Sequence, residues 1–257
     1  MMIKAIFFDI DGTLFSHTTK RVPESTKTAL WLLREKGIRL LTATGRHIMD
    51  IKNLTEDLPP FDGYITLTGQ ICLDENQKTV YDAPIRDAEA RGIIDTFTRE
   101  GLPLIIIERD RKYTLFMNET IRHTERAVIA TMPEMGRYTG EKIFQFIAFD
   151  PENKIETLMA QFPSCKTSRW NPFAVDIISQ TGGKVAGIQH FLDRFQIGAQ
   201  EIMAFGDGEN DMDMLRFAGV GVAMGNAAPI VRQQADYVTA DIDDDGIYKA
   251  LQHYGFL

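Results

Sequence analysis

Residues 3–8, IKAIFF, are apolar at nearly every position rather than at alternate ones, the pattern of a strand covered on both faces. Pro23 opens a helix predicted over residues 23–36, in which Ala29, Leu30 and Leu33 share a face and Gly37 supplies the stop. A second apolar run, IRLLTA, ends in Thr44, Gly45 and Arg46. A helix through Ile48, Ile51 and Leu58 is then stopped by Pro59 and Pro60, and the strand GYITL leads into a hairpin around Asp74, Glu75 and Asn76. This opening part is βαβ in style.

After Pro84 the pattern changes. It predicts a helix over 86–100, strands LPLIII and YTLFM, a helix over 119–131, the strand IFQFIAF, a helix over 152–161, and strands KTSRW and FAVDIIS. Two strand, strand, helix units in succession make an α+β layer of domain size. From Gly183 the first style returns, with helix 184–195, strand EIMAF, helix 209–218, strand VGVAM, a short helix near 228–235 and strand YVTA. The predicted fold is α/β. A Rossmann-like parallel-sheet core, residues 1–83 and 184–257, carries an inserted α+β cap, residues 84–183.

Composition narrows the function. The 257 residues include 44% apolar and 25% charged side chains, as in an ordinary globular protein. A net charge of -8 argues against nucleic-acid binding, which wants a basic face, so an anionic ligand has to be caught locally. Two cysteines, Cys72 and Cys165, give neither a disulfide framework nor metal-ligand spacing, as expected of a cytoplasmic protein. The N-terminal stretch has no signal-peptide pattern and no apolar run reaches the ~18 residues of a membrane span, so no membrane partner is expected.

Three apolar strands end in reactive residues: IFF in Asp9, RLLTA in Thr44, and IMAF in Gly206 and Asp207. In an open α/β sheet the carboxyl ends of the strands border the ligand crevice, so such distant endings can share one pocket. Two carboxylates ~4 Å apart repel by about 4 kcal/mol even at an effective dielectric of about 20. Asp9, Asp11, Asp207 and Asp211 together therefore call for a hard divalent cation, and Mg²⁺ suits a few carboxylates, waters and a phosphate. Lys184, after Gly182 and Gly183, offers a second positive charge, and main-chain amides at Ile10, Gly12 and Gly45 can approach anionic oxygens. The set reads as a receptor for a phosphoryl dianion. Asp9 would attack phosphorus, giving an aspartyl phosphate, and Asp11 would protonate the leaving alcohol and later deprotonate water.

These residues resemble the haloacid dehalogenase superfamily, specifically its Cof-type sugar-phosphatase branch with a large α/β cap. The resemblance runs along nearly the whole chain, through FFDIDGT, TATGR, GGKVAGI and FGDGENDMDML, with AMGNA and ADYVTADIDDDGI following. It implies Asp9 as nucleophile, Asp11 as acid/base, and Thr44 and Lys184 as phosphate ligands. It also implies Mg²⁺ held by Asp207, the Asp9 carboxylate and the Asp11 carbonyl, with Asn210 and Asp211 in support. A cap that closes over the site and selects a small phosphorylated substrate, foremost a hexose or pentose phosphate, is implied as well. Many relatives carry Asn-Gly after the third strand where this chain has Thr68-Gly69, which puts substrate contacts there in question.

Other readings fall away. DIDGT places Gly fourth, not sixth, so it is no EF-hand, and Ile178 and Val185 break the P-loop pattern around Lys184. The acidic run DIDDD reads as a helix start, and the five histidines, lacking ligand spacing, read as packing or surface. In the cap, SRWNPFAVD is the candidate substrate stretch through Arg169, Trp170 and Asn171, and Arg46 is a further substrate candidate in the core. A phosphomutase or phosphotransferase, or a non-catalytic phosphometabolite sensor, are the alternatives. A monomer or weak homo-oligomer is expected.

Overall fold

The structure is a computed structural model that describes residues 2–51, 55, 57–149, 154–171 and 174–257. Its contacts divide the chain into two compact units, Met1–Tyr81 with Gly183–Leu257, and Asp82–Gly182.

The first unit is built on a sheet of β1 (Ala5–Phe8), β2 (Arg39–Ala43), β3 (Gly63–Thr66), β4 (Ile71–Asp74), β5 (Thr79–Asp82), β12 (Ile202–Gly206), β13 (Val220–Ala223) and β14 (Tyr237–Val238), ordered β14-β13-β12-β1-β2-β3-β4-β5. The pairings from β14 across to β3 are parallel, and β4 turns back antiparallel on β3. Apolar residues on both sides of β1 pack against separate helical layers. Ile6 and Phe8 join a cluster with Leu30 and Leu33 of α1 (Glu24–Glu35) and Ile247 and Leu251 of α9 (Gly246–His253). Ala5 and Phe7 join the opposite cluster with Ile188 and Phe191 of α6 (Lys184–Phe195) and Leu215 of α7 (Met212–Phe217). Burying a side chain such as Phe7 or Phe8 contributes on the order of 1.5–3 kcal/mol, so the alternation fixes the strand at the centre of the sheet.

The register then places the ends. Phe8 stands beside Thr42 of β2 and Phe205 of β12, so Asp9, Thr44 and Asp207 leave three adjacent parallel strands at the same edge. Neighbouring strands run about 4.8 Å apart, which is why residues nearly 200 positions apart in sequence become neighbours here.

The second unit contains α3 (Asp87–Glu100), β6 (Leu104–Glu108), β7 (Lys112–Thr114), α4 (Glu119–Ala127), β8 (Glu134–Met135), β9 (Ile143–Phe149), α5 (Lys154–Met159), β10 (Cys165–Asn171) and β11 (Ala174–Ser179). Its sheet is ordered β10-β11-β9-β6-β7-β8, and α3 and α5 cover one face through Ile93, Phe97, Ile155 and Met159.

Several predicted boundaries shift. The strand expected over YTLFM ends at Thr114, whose hydroxyl donates to the Leu104 and Phe116 carbonyls and so turns the chain. The helix expected over 119–131 ends at Ala127, and Ile129 takes a positive φ of 54°. The helix expected over 209–218 begins as a 3-10 turn, Glu209–Asp211, before α7. The short helix near 228–235 is Pro229–Arg232, here α8. The helix expected through Leu58 is described only as α2 (Ile48–Ile51), since residues 52–54 and 56 lie outside the described set, as do residues 152 and 153 at the start of the helix expected over 152–161, which is described over Lys154–Met159. The acidic run does begin a helix: Asp241 Oδ1 accepts from the Asp243 amide, and α9 follows.

Candidate active site

Three segments of the first unit meet around one ammonium group. Lys184, the first residue of α6, is 3% exposed, and its Nζ donates to Asp9 Oδ1 at 2.7 Å and to Asp211 Oδ1 at 2.6 Å. Asp211 Oδ2 accepts from the main-chain amides of Asp207 and Gly208 at 3.1 and 2.9 Å, so this wholly buried carboxylate is fully engaged inside the protein. Asp207 Oδ1 accepts from Thr13 Oγ1 at 2.8 Å. Carboxylate oxygens of Asp9, Asp207 and Asp211 all lie within 4.8 Å of one another.

Charge accounting shows what this cluster lacks. Three carboxylates face one ammonium. Burial first, then the Asp211 and Asp9 charges acting in the opposite direction and prevailing, leave Lys184 with a raised pKa, so it stays charged. Burial pushes the Asp9 carboxyl up, with Lys184 opposing and the other aspartates adding to the rise. Asp207 is pushed up to about 7 by burial and by Asp211, against the Thr13 hydrogen bond. Groups held this far from their ordinary carboxylate range mark a place where positive charge is wanted. An all-oxygen donor set of this kind fits a hard divalent cation, with Asp9 and Asp207 the carboxylates that would hold it. Asp211 already serves Lys184 and two amides.

Asp11 lies outside the cluster. Its carboxylate receives Arg46 Nε on Oδ2 and the terminal Arg46 nitrogen on Oδ1, both at 2.7 Å, and His17 Nε2 on Oδ1 at 2.8 Å. Burial alone would raise its pKa, but the hydrogen bonds from His17 and Arg46 win and bring it to about 2. The two-pronged guanidinium contact fixes orientation as well as charge. Arg46, expected among the substrate contacts, is therefore occupied with Asp11 and is only 8% exposed. His17, read from sequence as packing or surface, is likewise a partner of Asp11. It belongs to a small loop closed by bridges Asp11 to Phe15 and Ser16 to Arg21, and its ring stands edge-on to Phe15 at 5.7 Å.

Thr44 is buried, and its Oγ1 accepts the Arg46 amide at 3.1 Å, a turn that follows directly on β2. Asn210 stands half-buried in the 3-10 turn before α7. Asn226, from AMGNA, had no role assigned from sequence. Its Nδ2 donates to the Gly12 carbonyl at 2.8 Å and its Oδ1 accepts from Ile242 at 3.0 Å, tying the Asp9 loop to the C-terminal segment.

Gly12 has a φ of +78°, and a β-carbon there would fall 2.2 Å from Asp207 Oδ2. Gly12→Ala is therefore expected to displace Asp207 and to strain the backbone by about 1 kcal/mol, lowering kcat/KM by on the order of 10²-fold in steady-state assays.

In the second unit, Arg169 of β10 turns to Glu156 of α5 at 2.7 Å, and Trp170 Nε1 donates to Asp176 Oδ1 at 2.9 Å. Arg169 thus has an acidic partner inside this unit. Asn171 ends β10, and Pro172 and Phe173 of the same stretch lie outside the described residues.

A family model for haloacid dehalogenase-like hydrolases matches residues 6–251. The chain belongs to that family. Among relatives of this haloacid dehalogenase-like hydrolase, YkrA of Bacillus subtilis, a protein named as a phosphatase, is 33% identical over 99% of this chain and 98% of its own. The 5-amino-6-(5-phospho-D-ribitylamino)uracil phosphatase YcsE of Bacillus subtilis is 27% identical over 98% of this chain and 96% of its own. The solved structure of BT4131, a sugar phosphatase of HAD subclass IIB, is 35% identical with a TM-score of 0.90, covering 99% of this chain and 100% of that one. The resemblance drawn from the motifs holds, and the hydrolase is a phosphoric monoester hydrolase. Among the described residues no helix is long and apolar enough to cross a membrane.

Proposed function

We propose that this hydrolase is a Mg²⁺-dependent phosphatase of small phosphorylated metabolites, with hexose and pentose phosphates as its first substrates, working through an aspartyl phosphate on Asp9. The observation that carries this reading is the Lys184 ammonium shared by Asp9 and Asp211 with Asp207 within reach. Lys184 would hold Asp9 in place and offer positive charge to a phosphoryl oxygen, with Thr44 as a second phosphate ligand. Asp9 would attack phosphorus and release the alcohol, and water would then cleave the acyl phosphate. Asp11 would take the proton of the attacking water, and would serve as acid toward the leaving alcohol once bound substrate draws Arg46 or His17 away and lets its pKa rise. When bound, Mg²⁺ would neutralise phosphoryl charge and bring it to the nucleophile. The sugar phosphate as substrate class is supported by BT4131 and, more loosely, by the phosphorylated ribityl compound in the name of YcsE.

A panel of sugar phosphates assayed with Mg²⁺ tests the reading. Turnover with free phosphate as product supports it; isomerised sugar phosphate would make the enzyme a mutase, and binding without turnover a sensor.

Cation dependence has a pH signature. In the cation-free protein Asp207 is raised to about 7 from an ordinary 3.8, so the folded state binds more protons than the unfolded chain. That group accordingly removes stability as pH climbs from about 4 to about 7. A cation takes the place of the proton. Mg²⁺ is therefore expected to raise the thermal midpoint relative to EDTA, and by more at pH 8 than at pH 6, in paired melting curves.

A further inference from the structure

The turn between β3 and β4 carries three successive residues with positive φ, Leu67 at 50°, Thr68 at 53° and Gly69 at 80°. A β-branched residue is among the least suited to this region, where Gly or Asn would sit with less strain. The turn is locked from two sides. The Leu67 amide donates to the Arg46 carbonyl at 3.0 Å and the Thr68 amide to the Thr44 carbonyl at 2.9 Å. On the other side a β-carbon on Gly69 would lie 2.0 Å from the Gly183 carbonyl oxygen, so the turn lies directly against the residue that precedes Lys184.

Thr68 is 5% exposed, and its Oγ1 has no hydrogen-bond partner among the described residues. Thr44 Oγ1 accepts the Arg46 amide and Thr66 Oγ1 donates to the Ile71 carbonyl, while Thr42 Oγ1, within β2, is likewise unpaired among the described residues. A buried unpaired hydroxyl and a strained backbone each cost stability, and here one residue between Thr44 and Lys184 carries both. Strain of this sort persists where the surroundings fix it, and it clusters at ligand sites.

We propose that the Thr68 hydroxyl is a hydrogen-bonding group for the phosphorylated substrate, so that Thr68 is a substrate-binding residue of this site. The inference rests on the phosphatase reading above, and it concerns the hydroxyl rather than the turn alone.

Thr68→Val keeps the branched shape and replaces the hydroxyl by a methyl group. With Mg²⁺, its kcat/KM for a hexose 6-phosphate is expected to fall by on the order of 10-fold or more, while Thr68→Ser stays within about threefold of the parent. Its thermal midpoint is expected to hold or rise, because an unpaired buried hydroxyl has gone, whereas a purely structural role for the hydroxyl would lower it. An equal loss with p-nitrophenyl phosphate places the contact on the phosphoryl group; a loss confined to the hexose phosphate places it on the leaving alcohol. Parent turnover, measured first, tests the phosphatase reading separately. Calorimetric titration of hexose 6-phosphate into Asp9→Asn and into the Asp9→Asn, Thr68→Val double variant reads the contact without turnover. Should Thr68→Val fold poorly, Thr68→Ala takes its place in both assays. Substrate affinity and kcat/KM unchanged within twofold would overturn the proposal.

Discussion

Asp9→Asn is expected to abolish phosphate release, with kcat falling by on the order of 10⁴-fold or more, as losses of a nucleophile do elsewhere. The substitution preserves shape, and the amide oxygen can still accept from Lys184 in place of Asp9 Oδ1. It removes one of three carboxylates set against a single ammonium, so the folded state is relieved of repulsion from Asp211 and Asp207. Stability should therefore hold or rise while activity disappears, a separation that excludes misfolding as the cause. Mass spectrometry of enzyme quenched during turnover gives the second readout: a phosphoryl adduct on the parent and none on the variant. Turnover by Asp9→Asn above about a hundredth of the parent rate would remove Asp9 from the nucleophilic role.

The parts of this site legible in sequence are those where a strand ends in a reactive residue. IKAIFF before Asp9, RLLTA before Thr44 and EIMAF before Asp207 are near-continuous apolar runs, and a parallel sheet with helices on both faces brings their carboxyl ends together. Lys184 was legible through its glycine-flanked helix start, though not its bridging of Asp9 and Asp211. What stayed hidden depends on loops whose course has no period. His17 reaches Asp11 because two isolated bridges fold residues 11–21 into a small loop, and Arg46 meets the same carboxylate. Asn226 joins three segments that only the closed sheet makes adjacent. In the second unit, Arg169 is a substrate candidate by its place in SRWNPFAVD, and packing pairs it with Glu156 of α5. Local composition names a charge; packing decides what that charge meets.

Asp211→Ala is expected to cost the fold about 3 kcal/mol or more, lowering the thermal midpoint by roughly 10 °C for a chain of this size. Opposing terms decide the sign. Removing the carboxylate lifts repulsion from Asp9 and Asp207, both of whose pKa values it raises. Against this, the Lys184 ammonium, 3% exposed, loses one of its two carboxylate partners, and the Asp207 and Gly208 amides lose their acceptor. An uncompensated buried charge costs about 3–5 kcal/mol and each unpaired buried amide about 1–3, whereas the repulsion relieved is shared with Lys184, so the loss prevails. Asp211→Asn should recover little of it. Three donors converge on the Asp211 carboxylate, and a side-chain amide offers one accepting oxygen and turns an N–H toward the others. Denaturation curves for both variants, recorded in EDTA so that cation binding does not mask the difference, check this. Asp211→Ala melting within about 2 °C of the parent would mean that Lys184 finds sufficient compensation in Asp9 alone, and the three-point anchoring of this loop would not be what holds the site together.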